Sequence, residues 1–104
     1  MTIQFNTTNN VNGSEAMNQR LSEIISGKLS RFEDYITRIE AHLSDENGGK
    51  EGQNDKLCIL EARPQGIQPV VVSNNADTYD EAVTGAVTKL KSALDSAIGK
   101  LKTH

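Results

Sequence analysis

Few side chains in this sequence have a type and spacing that could support catalysis or metal binding. Cys58 is the only cysteine, so neither an intrachain disulfide nor a site with several thiolates can form. It alternates with apolar residues in a predicted strand, which favours a buried thiol over a nucleophile. His42, Asp45 and Glu46 could be combined into a metal site, but the histidine lies on a polar strand face and the carboxylates follow in a loop. No P-loop, dinucleotide-binding or zinc pattern occurs. We expect no enzyme, metal, cofactor or small-molecule substrate.

The lysines of two predicted helices offer binding chemistry instead. Lys28 falls in the middle of the apolar stripe of the first helix. Either its stem packs along apolar surface while its ammonium reaches water, or it is a cation held at the edge of a groove. In the last helix, Lys89 and Lys100 lie to one side of the apolar stripe, and Lys91 and Lys102 lie to the other.

The last helix, predicted over Asp77 to His104 with Asp77 as N-cap, must form the main wall of the core. Its apolar stripe comprises Val83, Val87, Leu90, Leu94, Ala97, Ile98 and Leu101. The opposite face, from Gly85 to Thr103, is small and nearly neutral. It is either an undemanding exposed surface or a face that lets another backbone approach closely.

The rest of the chain supplies a sheet and a second helix. Alternating residues predict a strand at Thr2–Thr8, and Ser14 caps a helix that runs to about Phe32. Three further strands are predicted at Tyr35–Ser44, Lys56–Arg63 and Ile67–Ser73. Pro69 makes the last one an edge strand or a bulged one. The order β-α-β-β-β-α, with one apolar stripe on each helix, predicts an α+β fold in which both helices pack on one face of a four-stranded sheet.

Length and charge limit the classes that remain. A chain of 104 residues is expected to form one domain, spanning residues 1–104. The net charge of −3 and a pI near 5.3 argue against a general polyanion binder. The N-terminus lacks the features of a signal peptide, and no apolar run approaches the ~20 residues that span a bilayer. We therefore expect a soluble, cytoplasmic protein.

The element order and three short motifs resemble one known family. Residues 27–36 (GKLSRFEDYI) are similar to the end of its first helix, in which two basic residues stand three apart before an apolar residue. Residues 77–83 (DTYDEAV), with Lys89-Leu90 following, resemble the opening of its second helix, and residues 99–104 (GKLKTH) resemble its lysine-rich end. The family is that of the ribosome hibernation promoting factor and ribosome-associated inhibitor A, whose fold is double-stranded-RNA-binding-like.

The resemblance implies a function without catalysis. Proteins of this family bind the small ribosomal subunit in the cleft between head and body, block messenger and transfer RNA, and preserve idle ribosomes in stationary phase. Lysines and arginines of both helices would contact ribosomal RNA phosphates, without reading the base sequence. The positions that match the basic sites of the family are Lys28, Arg31, Lys89, Lys91, Lys100 and Lys102.

A second hypothesis remains open. Where the family carries further lysines and arginines in its second helix, this chain has Ser92, Asp95, Ser96 and Ile98. Each lost phosphate contact weakens a salt-sensitive affinity. The chain could thus be a relative that has lost ribosome binding and acts as a protein-interaction or stress-related accessory module, with a protein partner on the helix face from Gly85 to Thr103.

Overall fold

The computed structural model of the protein describes residues 1–8, 14–46 and 54–102, with side chains described up to residue 99. The elements are β1 (Thr2–Thr7), α1 (Glu15–Lys28), a 3₁₀ turn (Ser30–Phe32), β2 (Ile36–Asp45), β3 (Lys56–Pro64), β4 (Val70–Ala76) and α2 (Tyr79–Lys102). The predicted order β-α-β-β-β-α and the α+β class are confirmed.

The four strands form one mixed sheet in the order β1-β2-β3-β4. β1 is parallel to β2, which requires a crossover connection, and α1 provides it. The later strands form an antiparallel meander. The predicted bounds of β4 were wrong, since the strand begins after Pro69 and continues through Asn74 to Ala76. Proline has no N–H for the ladder, whereas the following residues pair with β3 as far as Lys56.

α1 begins where the sequence indicates and ends earlier. Ser14 is the N-cap, and its hydroxyl accepts a hydrogen bond from the Met17 N–H at 3.1 Å. The helix stops at Lys28, and a 3₁₀ turn carries the chain to Phe32. The side chain of Leu29, predicted at the edge of the apolar stripe, is fully buried.

α2 is the main wall of the core, as predicted, but Thr78 rather than Asp77 caps it. The Thr78 hydroxyl accepts from the Glu81 N–H at 3.1 Å. The Asp77 carboxylate accepts instead from the Asn54 N–H at 2.7 Å, which ties the end of the β2–β3 hairpin to the start of α2. Of the predicted stripe, Val83, Val87, Leu90, Leu94 and Ile98 are buried, Ala97 is half-buried, and the side chain of Leu101 lies outside the described part.

Both helices pack on one face of the sheet, as the alternation of the strands predicts. The buried strand residues on this face include Ile39, Ala41, Leu43, Cys58, Leu60 and Ala62. The other face carries an ionic network, in which Arg63 contacts Glu61 at 2.9 Å and Glu40 at 3.6 Å. None of the described helices is both long enough and apolar enough to cross a bilayer.

Candidate nucleic-acid interface

Two ion pairs join the helical segments along their common seam. Arg20 of α1 donates from Nε and Nη2 to the carboxylate of Asp80 in the first turn of α2, at 2.9–3.2 Å. Arg31, in the 3₁₀ turn, donates from Nη2 to Asp95 further along α2, at 2.6 Å. Since the two contacts follow the same chain direction in both helices, α1 and α2 run parallel. In both pairs the arginine comes from α1 or the 3₁₀ turn and the aspartate comes from α2.

Arg31 contacts both a carboxylate and an aromatic ring. Its guanidinium carbon lies 4.7 Å from the centroid of the Phe32 ring, which supports one face of the group. Only Nη2 is hydrogen-bonded to a protein oxygen among the described residues. Nε and Nη1 still carry N–H groups, and each can donate a single hydrogen bond to a phosphate oxygen.

Lys28 is close to Arg31 in the chain, and Lys91 is one helical turn before Asp95, the partner of Arg31. Lys28 ends α1 three residues before Arg31, and its side chain is exposed. Lys91 precedes Asp95 by four residues, so it projects to the same flank of α2, and it is also exposed. Lys102 is eleven residues after Lys91 and shares that flank by helical phase.

Lys89 lies elsewhere. Its Nζ donates to the carbonyl oxygen of Ser73 at 2.8 Å, so it reaches over the edge strand β4, on the side of α2 away from α1. Lys100 is eleven residues later and lies on the same side by helical phase. The side chains of Lys100 and Lys102 are outside the described part of the chain. Among the four predicted basic sites whose side chains are described, Lys89 is therefore at the β4 edge, apart from Lys28, Arg31 and Lys91.

The neutral face of α2 is less open than its sequence indicates. Gly85 is half-buried, and a Cβ built on it would lie 2.1 Å from the side-chain nitrogen of Asn74. This nitrogen donates to the carbonyl of Ala82 at 3.3 Å. The prediction that Gly85 belongs to an exposed face is thus wrong, because the small residue is needed for packing within the chain. Thr88, Ser92 and Ser96 are exposed.

A second polar cluster was not foreseen from the sequence. Lys56 donates to Asp45 and to Asp55, each at 3.1 Å, and both carboxylates are almost fully buried. The hydrogen bonds that Lys56 donates to Asp55 and then to Asp45 raise its pKa. The pKa of Tyr79, 5.9 Å from the Lys56 ammonium, is raised first by burial and then by the charge of Asp45. The only signal was that Asp45 and Lys56 flank the same hairpin loop, where they pair across the ladder.

The groups considered for metal binding and nucleophilic chemistry do not converge. His42 and Asp45 lie on opposite faces of β2, because their positions in the strand differ by an odd number of residues. No cluster of three potential metal-ligating residues occurs among the described positions. Cys58 is fully buried, and burial raises its pKa from the ordinary 9.0 to about 12. Its thiol is consequently protonated and inert near neutral pH.

Comparison with known proteins agrees with this geometry. Residues 6–102 match the family model described as sigma 54 modulation protein / S30EA ribosomal protein. The chain belongs to this family. That assignment confirms the resemblance found in the sequence and identifies a family of ribosome-associated factors rather than of enzymes. The comparison with curated proteins gives no match.

Two solved structures show how well the family fold is kept. A ribosomal subunit interface protein from Coxiella burnetii superposes with a TM-score of 0.70 at 20% identity, over 95% of this chain and 99% of that one. The N-terminal domain of Protein Y from Thermus thermophilus gives a TM-score of 0.62 at 16% identity, over 91% and 93%. At such identities the likeness shows the fold. Together with the family match, it supports a ribosome-associated modulation or hibernation factor.

Proposed function

We propose that this family member is a translation inhibitor that binds ribosomal RNA of the small subunit through the seam between α1 and α2. The seam site comprises Lys28, Arg31 and Lys91, with Lys102 on the same flank. The observation that carries the proposal is the arrangement at Arg31. Its ion pair with Asp95 fixes it between the two helical segments, while its Nε and Nη1 atoms stay available for a phosphate.

This mode of inhibition would need no catalytic step by the protein. Cations on two parallel helices can follow a sugar–phosphate backbone and recognise its shape. A domain held in this way in the subunit cleft would exclude messenger and transfer RNA, and it would act in the cytoplasm, where ribosomes lie. Lys89 and Lys100 would be outer contacts, and Lys89 would first have to release the Ser73 carbonyl.

The affinity is expected to be moderate and strongly dependent on salt. Asp80 and Asp95 each neutralise one arginine of the seam, and the chain as a whole carries a net charge of −3. Each phosphate contact contributes roughly 0.7–0.9 to the slope of log affinity against log salt. A site of three or four cations would therefore give a measurable slope but not the steep dependence of a highly basic protein.

The test is sedimentation of the full chain with small ribosomal subunits at about 50 mM and about 200 mM salt. The double variant Lys28→Gln/Arg31→Gln should lower the slope by roughly 1.5, because two phosphate contacts are lost. The matched control is Arg38→Gln/Arg63→Gln, which removes the same charge from the open face of the sheet. Equal losses in both double variants would show that net charge, not the seam, controls binding.

One observation favours a second candidate function. The exposed outer surface of α2 carries the uncharged Thr88, Ser92 and Ser96, where a phosphate-binding helix would offer lysine. A relative that has lost ribosome affinity could use this surface to bind a protein, in a stress-related accessory role. Absence of co-sedimentation even at low salt, together with a salt-insensitive protein complex lost on Ser92→Arg, would favour this alternative.

A further inference from the structure

A small pocket opens at the end of the helical seam, beside Arg31. Its volume is about 200 Å³, and it is lined by Arg31, Phe32, Tyr35, Asp95, Ile98 and Gly99. Pockets for drug-sized ligands or cofactors measure roughly 300–1,000 Å³, whereas a cavity of about 150 Å³ holds a single benzene ring. The size therefore suits one planar heterocycle.

Tyr35 gives this pocket an aromatic wall. Its side chain is 39% exposed, and it is one of two large apolar side chains that are exposed among the described residues. Its backbone is fixed on both sides, since its N–H donates to the Phe32 carbonyl at 2.9 Å and its carbonyl accepts from the Gln65 N–H at 2.8 Å. An exposed aromatic side chain that lines a pocket is the usual platform for an unstacked base.

The facing wall leaves room for such a ring. Gly99 contributes no side chain, and a Cβ built there would meet nothing within 4 Å. Ile98, next to it, is almost fully buried and provides an apolar floor. Gly99 lies in a regular helix and has no positive φ, so the backbone does not require glycine here. The glycine instead leaves open space in the pocket.

The positive charge of Arg31 indicates that the ligand carries an anionic group beside its ring. Arg31 lines the pocket, and its Nε and Nη1 donors have no oxygen partner among the described residues. We propose that the pocket binds one unpaired nucleotide, with the base between Tyr35 and Gly99 and the phosphate on Arg31. This inference rests on the proposed RNA binding and adds to it a contact with a base, made by stacking and therefore tolerant of base type.

The experiment is an NMR titration of the full chain with AMP and, separately, with ribose 5-phosphate, which has the same phosphate but no base. AMP should shift the amide signals of Tyr35 and Gly99 and bind at least about fivefold more tightly, since one base–aromatic stack contributes that much. Gly99→Leu fills the pocket and should abolish the difference. Gly27→Leu is the matched control, because that helical glycine also has open space around it, and the difference should persist.

Equal affinities for AMP and ribose 5-phosphate, or a preference for AMP that survives Gly99→Leu, would overturn the nucleotide pocket. Tyr35→Ala should also remove the preference without unfolding the chain, as circular dichroism would verify. Failure of the proposed function looks different. If AMP binds in the pocket but the chain does not sediment with small subunits, the pocket stands and the ribosomal function falls. If the chain sediments with small subunits but binds AMP no more tightly than ribose 5-phosphate, the ribosomal function stands and the nucleotide pocket falls.

Discussion

Removing the carboxylate of Asp95 should tighten the binding of the chain to small ribosomal subunits. Asp95 now holds Nη2 of Arg31 at 2.6 Å, and both side chains are about half exposed, at 51% and 56%. A phosphate that accepts from Nη1 of the guanidinium would lie roughly 6–7 Å from this carboxylate, given the width of the group and two hydrogen bonds. The two anions would therefore repel each other across the arginine.

The size of this repulsion follows from the exposure of the pair. At 6.5 Å and the dielectric constant of water, two unit charges repel by roughly 0.6 kcal/mol, which is about a threefold change in affinity. An effective dielectric constant near 20 would give about four times that energy. Because both side chains are about half exposed, the dielectric constant of water is the better value here. Asp95→Asn should thus bind about threefold more tightly at low salt. Its stability should change by less than about 1 kcal/mol, because surface ion pairs contribute little.

The assay is fluorescence anisotropy of the labelled chain titrated with small subunits. Glu23→Gln is the matched control, because it removes the same charge from an exposed position on α1. Equal tightening in both variants would attribute the effect to net charge, and weaker binding by Asp95→Asn would mean that Asp95 positions Arg31 instead of competing for it. Either result would refute a local repulsion between Asp95 and a phosphate bound on Arg31.

Three further predictions concern the fold. Gly85→Ala should have a lower melting temperature than Gly99→Ala, because a Cβ at residue 85 displaces the Asn74 side chain and a Cβ at residue 99 meets nothing. Both variants gain about 0.5–1 kcal/mol of helix propensity. Equal melting temperatures would contradict the close contact between Gly85 and Asn74. Burial raises the pKa of Cys58 to about 12, so the thiol loses its proton at lower pH in the unfolded chain than in the folded one. The free energy of unfolding should therefore fall by up to about 1.4 kcal/mol per pH unit between about pH 9 and pH 12. Urea titrations of Cys58→Ala should lack this component. Lys56→Met should lower the melting temperature at neutral pH, since two buried carboxylates lose the positive charge of Lys56. An unchanged value in calorimetry would show that the cluster is not stabilising.

The sequence alone determined most of the architecture. The positions of the helices and strands follow from local periodicity, which depends on residues a few places apart in the chain. The buried faces of β2 and β3 and most of the α2 stripe are as predicted, and Ser14 caps α1 as its type indicates. The errors lie at element ends: Asp77 has the right type for an N-cap, but the structure uses it to hold Asn54.

The site could be predicted only in part. Helical phase separates Lys91 from Lys89 without any structure, and the contact of Lys89 with Ser73 agrees with that separation. The resemblance to the family identified Arg31 as a basic site. Neither line of reasoning could show that Arg31 pairs with Asp95, because the two residues are 64 positions apart and meet only when the 3₁₀ turn packs beside α2.

Tertiary packing decided the remaining features for one physical reason. A contact between distant elements depends on their relative position, and local periodicity does not contain that information. The placement of Asn74 against Gly85 comes from the docking of α2 on the edge strand, and the clustering of Asp45 and Asp55 around Lys56 comes from strand register. The sequence determined which residues are basic, apolar or small, and the packed fold decided which charges are neutralised and where a pocket stays open.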